Sequence, residues 1–570
     1  MATQGYARGL TNYGDAGFSR FLRGAFMRQM GYDTKDMDKP IIGIMNTFSD
    51  LNPCHRGFKE LSVHVKRGIN QAGGLPVELP TISLGETFLH PTSMLFRNLM
   101  AVDTEEMIRA SPLDAVVLMG GCDKTTPAQL MGAASADMPA IFLAAGAMLT
   151  GDHEGERLGA CTDCRRLWGE FRAGRLNEAE IERIQGQLMP TAGTCMVMGT
   201  ASTMACIVEA LGMMAPGGAS APAALADRLR VGTESGRLAV ALAEKELRPS
   251  QIMTPKAFEN AIRVLLAIGG STNAVVHLTA MAGRLGITIH PDAFDRLSED
   301  TPMIVNMKPS GQYYMEDLHK AGGMRVILNE LKDKLHLDCM TVTGQTLGEW
   351  LEGDYKFPEW QDVIFPAAKP LQDKGGMVIL YGNMCTDGAV LKRSAADPKL
   401  MQHTGRAVVF SSLEDMATRI DSPDLDVNAD DVLVLQNAGP VGAPGMPESG
   451  YIPIPKKLAA QGVKDMVRIS DARMSGTAYG TIVLHAAPEA AIGGGLGLVR
   501  NGDMIRLDVD NRVLEAQVDP AEWEKRKAAW KSPVEDSQRG YLRLHKEQVQ
   551  QANLGADLAF LRPPEKHLLK

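Results

Sequence analysis

The chain has 570 residues, 45% of them apolar and 22% charged, with a formal net charge of -9. That length exceeds one ordinary core and leads us to expect two or three domains, while the acidic balance without a long basic run argues against nucleic acid as the main partner. No apolar stretch reaches the ~18 residues needed to cross a bilayer, the opening Met1-Ala2-Thr3-Gln4-Gly5-Tyr6 has no charged-then-apolar leader pattern, and eight sparse cysteines do not form a secreted disulfide scaffold, so a reducing cytoplasm is the expected setting.

Taken in order, Ile41 to Met45 reads as a buried strand ending at Asn46-Thr47, and Val77 to Ser83 as another ending at Leu84-Gly85-Glu86. Ala115 to Met119 is a third and Ala140 to Leu143 a fourth. Strands alternating with helical patterns predict a parallel-sheet α/β domain over residues 1–375. Thr254-Pro255 carries the N-cap and first-turn proline of a helix start. Gly269-Gly270-Ser271-Thr272-Asn273 and Gly199-Thr200-Ala201-Ser202-Thr203 precede helices that are apolar nearly all round and therefore buried. Those starts fit either anion binding or ordinary caps. From Gly376 the pattern turns strand-rich, with Met377 to Tyr381, Ala407 to Phe410, Asp431 to Leu435, Met466 to Ile469, and Met504 to Val509 turning at Asp510-Asn511-Arg512 into Val513 to Ala516. Residues 376–570 are thus expected to form a β-rich, barrel-like second domain, with charged residues 521–570 as a tail or subunit contact. There are no internal repeats.

The chemistry concentrates at strand ends, where open α/β sheets bind ligands. Gly120-Gly121-Cys122-Asp123-Lys124-Thr125-Thr126-Pro127 puts a thiol, a carboxylate and an amine in three residues; Cys54 lies in Asn52-Pro53-Cys54-His55 and Cys195 in Gly193-Thr194-Cys195. Three thiolates could hold an iron–sulfur cluster or zinc, or be buried free thiols. Glu86 and Asp123 could share Mg²⁺, and Glu448 sits on the glycine- and proline-bounded loop Gly442–Glu448. Lys124 beside a divalent ion must point away, lose its proton or become a carbamate. Ser475, in Asp471-Ala472-Arg473-Met474-Ser475-Gly476-Thr477-Ala478-Tyr479-Gly480, lacks the Gly-x-Ser-x-Gly frame of a hydrolase because position 473 is Arg. The pair Cys161-Thr162-Asp163-Cys164 reads as zinc or redox chemistry, with no second pair nearby to complete a zinc site. Cys206, Cys339 and Cys385 read as core thiols, and the 33 methionines as core filler.

These segments, in this order and over nearly the whole chain, resemble the dihydroxy-acid dehydratase (ILVD/EDD) family, which includes phosphogluconate and sugar-acid dehydratases. The resemblance rests on Asn52–His55, Gly120–Pro127, Gly193–Cys195, Gly269–Asn273, Pro444–Glu448 and Arg473–Gly476. It implies an N-terminal α/β domain and a C-terminal barrel-like domain, and a homodimer or homotetramer. It also implies a [2Fe-2S] cluster on Cys54, Cys122 and Cys195, Mg²⁺ among Glu86, Asp123, a carbamylated Lys124 and Glu448, and Ser475 as base. In this family the pair Cys161 and Cys164 is not a cluster ligand.

The reaction so implied removes a C2 proton and a C3 hydroxyl from a 2,3-dihydroxy acid and yields a 2-keto acid without net redox change. The serine segment is more similar to the sugar-acid branch than to the Asp-Gly-Arg-Phe-Ser-Gly type of the branched-chain enzymes. Thr477 and Tyr479 would offer hydroxyls to a polyol, whose own hydroxyls are costly to bury unpaired. A pentonate such as L-arabinonate or D-xylonate is the expected small-molecule partner. Asn383-Met384-Cys385-Thr386-Asp387-Gly388 departs from the family's Asn-Leu-Ala pattern. The competing readings are a dihydroxy-acid dehydratase of branched-chain synthesis, a [4Fe-4S] phosphogluconate dehydratase, a CxxC thiol oxidoreductase and a non-catalytic metal-binding protein.

Overall fold

The computed structural model describes residues 5–10, 12–535 and 537–570; the opening residues 1–4, where no leader pattern is read, lie outside the described residues. After helix α1 (Ala16–Gln29) come four strands, β1 (Ile41–Asn46), β2 (Leu75–Pro80), β3 (Ala115–Gly120) and β4 (Ala140–Ala144). They form one parallel sheet in the order β2-β1-β3-β4. Every residue of β1, β3 and β4 is buried, which is why these strands are unbroken apolar runs: helices cover both faces. The half-exposed β2 carries Pro76 and Pro80, which an edge strand tolerates; it begins two residues before the predicted start and ends three before the predicted end.

Helices α2 (Phe58–Gln71), α3 (Ser93–Ala110) and α4 (Thr125–Ala136) connect these strands. The chain leaves β1 toward β2 and returns to β3 on the other side, so the sheet's switch point falls between β1 and β3. Ligands bind at such a crevice, and the segments around Cys54 and Cys122 both emerge there. A short hairpin of β5 (Gly151–His153) and β6 (Glu156–Leu158) precedes α5 (Thr162–Arg172), α6 (Glu178–Gln185) and α7 (Thr200–Ala210). The predicted helix after Thr254 spans Pro255–Ala267, with the Thr254 hydroxyl accepting the Ala257 N–H at 3.3 Å. The helix Asn273–Gly283 is buried at every position, as its all-round apolar pattern requires. Strand β7 (Ile287–Ile289) follows.

Eight further strands close into a barrel: β8 (Val378–Gly382), β9 (Cys385–Leu391), β10 (Gln402–Phe410), β11 (Val432–Leu435), β12 (Arg468–Ser470), β13 (Ile482–Leu484), β14 (Met504–Asp508) and β15 (Val513–Ala516). Their order is β10-β11-β12-β13-β9-β8-β15-β14, and closure leaves no unpaired edge. Val378, Leu380, Leu391, Val432, Val434, Ile469, Val483, Ile505 and Leu514 pack together inside. Ile379 and Val390, of opposite parity, join the core of the N-terminal region instead. The turn at Asp510-Asn511-Arg512 joins β14 to β15 as predicted, with Asn511 N–H donating to Asp508 Oδ1 at 3.1 Å. Because β10 through β13 run parallel, their C-terminal ends share one rim, from which the segments carrying Glu448 and Ser475 leave.

The expected tail or subunit contact is anchored to the N-terminal region through residues 557 and 567–569. Arg284 and Asp557, both buried, form a bidentate pair at 2.6 and 3.0 Å, and β16 (His567–Leu569) pairs with β7. Apolar positions such as Ala552, Ala556 and Leu558 are buried among the charges, which the reading by composition overlooked. Among the described residues no helix is long and apolar enough to cross a membrane.

Candidate active site

The thiols are placed by a buried imidazole. After β1 the chain makes a short turn, Pro53–His55, and His55 packs flat on Phe58 at 4.6 Å. Its Nδ1 donates to Thr47 O at 2.8 Å, which leaves Nε2 to accept the backbone N–H of Cys122 at 2.9 Å. Burial lowers this ring to about 4, so it is neutral and keeps that acceptor. Thr125 Oγ1 donates to Cys122 O at 2.7 Å. The neighbouring Cys54 thiol, together with burial, pushes the Cys122 thiol up. Cys195, on the segment before α7, interacts electrostatically with both. All eight cysteines are free, with Cys206, Cys339 and Cys385 buried.

The oxygen ligands meet next to this set. Cys122 Sγ lies 3.6 Å from Asp123 Oδ1. Carboxylate oxygens of Glu86, Asp123 and Glu448 come within 4.8 Å of one another, uniting the segment after β2, the segment after β3 and the barrel rim. Lys124 points into this group rather than away. Its fully buried Nζ contacts Asp123 and lies 3.5 Å from Glu86 and 3.7 Å from Glu448. Burial and Arg473 pull the lysine down, but the three carboxylates outweigh them and raise it. Burial alone would raise Glu86, yet Lys124, Arg473 and the Ser93 and Thr92 hydroxyls hold it well below the usual carboxylate range. Glu448 is raised, chiefly by burial.

In the sequence Arg473 enters as a departure from a hydrolase motif and as part of the Arg473–Gly476 segment, with no role of its own, and its place in the site was missed. It is 1% exposed, donating from Nη1 to Glu448 at 2.6 Å and from Nη2 to Thr92 Oγ1 at 2.7 Å, with Glu86 3.3 Å away. Its Asp-Ala-Arg-Met-Ser setting, two residues before the singled-out serine, was the available signal. His55 was missed too, although it stands beside Cys54 in the same motif.

Ser475 lies on the segment between β12 and β13, half-buried, with its Oγ 2.8 Å from Thr477 Oγ1. This segment is clamped by the two glycine-led helix starts. Asn273 Nδ2 donates to Met474 O at 3.0 Å and to Thr200 Oγ1 at 2.9 Å, and Thr200 Oγ1 also meets Ser271 Oγ at 2.8 Å. Those starts therefore serve at least as fasteners of the serine segment. Gly476 is required here, because a Cβ would stand 2.5 Å from Ser271 and 2.7 Å from Thr200 N. Tyr479 is half-buried near Tyr451, and Thr162 Oγ1 donates to Thr477 O at 2.9 Å.

The pair Cys161 and Cys164 opens α5 and sits closer to the site than the sequence implied. Cys161, Cys164 and Cys195 all pack against the same buried cluster of Met148, Ala160, Met196, Val197 and Tyr314.

A parallel α/β sheet and a closed barrel together gather carboxylates and thiols into the kind of site that can hold a metal, and comparison identifies the family as one of enzymes. The N-terminal family description "Dihydroxy-acid/6-phosphogluconate dehydratase N-terminal" matches residues 39–350, and its C-terminal counterpart matches 362–556. The chain belongs to this dehydratase family and is a hydro-lyase. It is 46% identical over 553 residues to an L-arabinonate dehydratase of Rhizobium leguminosarum bv. trifolii, covering 96% of this chain and 95% of the relative. It is 46% identical over 570 residues to an L-arabonate dehydratase of Azospirillum brasilense, covering 98% and 97%. It is 44% identical over 543 residues to a 6-deoxy-6-sulfo-D-gluconate dehydratase of Pseudomonas putida, covering 95% and 93%.

Proposed function

We propose that this enzyme dehydrates a sugar acid, a pentonate such as L-arabinonate or D-xylonate, to its 2-keto-3-deoxy acid. The observation that carries the reading is the meeting of three carboxylates, a buried lysine and two thiols around Cys122-Asp123-Lys124, beside a barrel rim that carries a serine paired to a threonine hydroxyl. The names of the L-arabinonate and L-arabonate relatives support the substrate class.

The residues fit the expected cofactors. Hard oxygen donors from Glu86, Asp123 and Glu448 suit Mg²⁺. Three carboxylates against Lys124 and Arg473 formally leave one negative charge; carbon dioxide addition to the Lys124 amine would leave four anionic groups against Arg473 alone, better matched to a dication. Cys54, Cys122 and Cys195 suit a [2Fe-2S] cluster, as soft donors held by a rigid shell. When bound, magnesium supplies Lewis acidity and the cluster an open iron position.

Ser475 takes the C2 proton. Thr477 holds its oxygen, through Oγ1 at 2.8 Å and through its N–H at 3.4 Å, and the first turn of α7, which abuts Gly476, favours negative charge there. Hydroxide leaves from C3, so water is lost overall, and the enol formed becomes the 2-keto acid. Thr477 and Tyr479 pair with substrate hydroxyls. Arg473 fixes Glu86 and Glu448, and His55 fixes Cys122.

The test is 2-keto acid formation by anaerobically purified protein with Mg²⁺, across L-arabinonate, D-xylonate, D-gluconate, 6-phosphogluconate and 2,3-dihydroxyisovalerate, with a visible spectrum. Fastest turnover of a pentonate by a brown protein is expected. Turnover of dihydroxyisovalerate alone would overturn the substrate assignment.

A further inference from the structure

Cys161 and Cys164 have no part in the proposed reaction, yet their placement is specific. They occupy the N-cap and third position of α5, a helix of 11 residues. Side chains three apart on a helix are neighbours at about 5–6 Å between Cβ atoms, and the span between such α-carbons falls within the range a disulfide bridges. Both thiols are half-buried and line a cavity of about 540 Å³ whose other walls include Trp168, Ile181, Ile184 and Leu188. Cys161, Cys164 and Cys195 pack against one buried apolar cluster, and Cys195 lies within electrostatic reach of Cys54 and Cys122. A row of thiols thus runs from an open, apolar-walled cavity to the candidate cluster cysteines.

We propose that Cys161 and Cys164 form a reversible peroxide-reactive dithiol that closes to a disulfide and guards Cys195. The oxidant is a hydroperoxide such as hydrogen peroxide, small and neutral enough for the cavity. One thiolate attacks a peroxide oxygen, the O–O bond breaks, and a sulfenic acid and hydroxide result. The second thiol then displaces the sulfenic oxygen as water. In sum two thiols and one hydrogen peroxide give one disulfide and two waters; both sulfurs are oxidised and both peroxide oxygens reduced. A dithiol reductant reverses the bond by exchange. The disulfide stands independently of the proposed reaction; only the statement that it shields a cluster rests on that reading.

The chain offers a direct readout, because trypsin cutting after Arg157 and Arg165 releases residues 158–165 with Cys161 and Cys164 as the sole cysteines. The full-length, reduced, anaerobically purified enzyme is given one equivalent of hydrogen peroxide, denatured with an alkylating agent, digested and weighed. The expected result is peptide 158–165 unalkylated and lighter by two hydrogen atoms, restored to the alkylatable form by dithiothreitol, while Cys54, Cys122 and Cys195 remain alkylatable. Cys164→Ser and Cys164→Ala should leave turnover without peroxide unchanged and lose visible absorbance several-fold faster with it. Full alkylation of peptide 158–165 after peroxide has oxidised other cysteines overturns the dithiol. Bleaching of both variants at the wild-type rate overturns the guarding role. A colourless, iron-free protein overturns the cluster reading instead, and the peptide mass still decides the disulfide.

Discussion

The imidazole of His55 accepts the backbone N–H of Cys122 at 2.9 Å, so the segment after β1 holds the segment after β3 through a neutral ring. Both segments carry a thiol, and the bond sets how those thiols face each other. His55 has no ligand role of its own in the proposed site; it ties together the two segments that carry the proposed cluster ligands.

His55→Ala should therefore weaken the hold on iron although all three thiols remain. The buried Cys122 N–H would lose its acceptor, at a cost of about 1–3 kcal/mol, and loss of such an outer support typically costs about 10–100-fold in metal affinity. Iron per chain after dialysis against a chelator checks this. Wild-type iron retention in His55→Ala would show that the thiol loops need no such tie.

Much of this arrangement was legible in the chain. The strands β1, β3 and β4 declare themselves as apolar runs ending in small or polar residues, and Thr254, Gly269 and Asp510 punctuate the elements where the structure does. Cys122, Asp123 and Lys124 were conspicuous because polar chemistry follows a buried strand directly. What stayed hidden were contacts between distant segments. Arg473 meets Glu86 across 387 positions and Cys161 joins Cys195 against one buried cluster through folding alone, and no local pattern encodes either. Residues 552–558 looked like part of a charged tail because Leu558 is the one large apolar side chain among their buried positions, the others being Ala552, Gly555, Ala556 and the ion-paired Asp557.

Arg473 joins the barrel rim to the α/β region by bonding Glu448 and approaching Glu86. Removing one member of a buried ion group strands the others, which typically costs about 3–5 kcal/mol. Arg473→Met should accordingly lower stability most in a metal chelator. Saturating Mg²⁺ should recover part of the loss, since a ligand at 100 times its Kd adds about 2.7 kcal/mol to the form that binds it. Thermal unfolding of wild type and variant, each with EDTA and with Mg²⁺, makes the comparison. Failure of Mg²⁺ to raise the melting temperature of either protein above its value in EDTA would count against a cation site among these carboxylates.

Ser475 and Gly476 separate chemistry from positioning. Ser475→Ala should keep the iron spectrum and the melting temperature while turnover falls about 10²–10⁴-fold, the usual worth of a positioned base. Gly476→Ala should instead lose both stability and turnover. Its methyl would meet Ser271 at 2.5 Å and Thr200 N at 2.7 Å, an overpacking that costs about 1–3 kcal/mol and pushes the serine segment off its fasteners. Steady-state rates alongside melting curves distinguish the two. Retained turnover in Ser475→Ala would remove Ser475 from the base role.

His545 ties the C-terminal helix Gly540–Gln548 to the segment that leads to Glu448. Its Nε2 donates to Pro440 O at 3.2 Å, and its Nδ1 is buried without a partner. Burial lowers the ring from 6.5 to about 4, with the Pro440 bond opposing and the charge of Arg97 adding to the fall. Between those two values the unfolded chain binds a proton that the folded chain refuses. The stability contributed by the neutral ring is thus complete above pH 6.5 and drains away as the pH falls toward 4. The shift corresponds to about 3 kcal/mol at most. His545→Gln keeps a donor for Pro440 O and removes the titration, so its denaturation midpoint should decline less than the wild type's between pH 7.5 and pH 5. Parallel decline in the two proteins would show that this ring already carries its proton when folded.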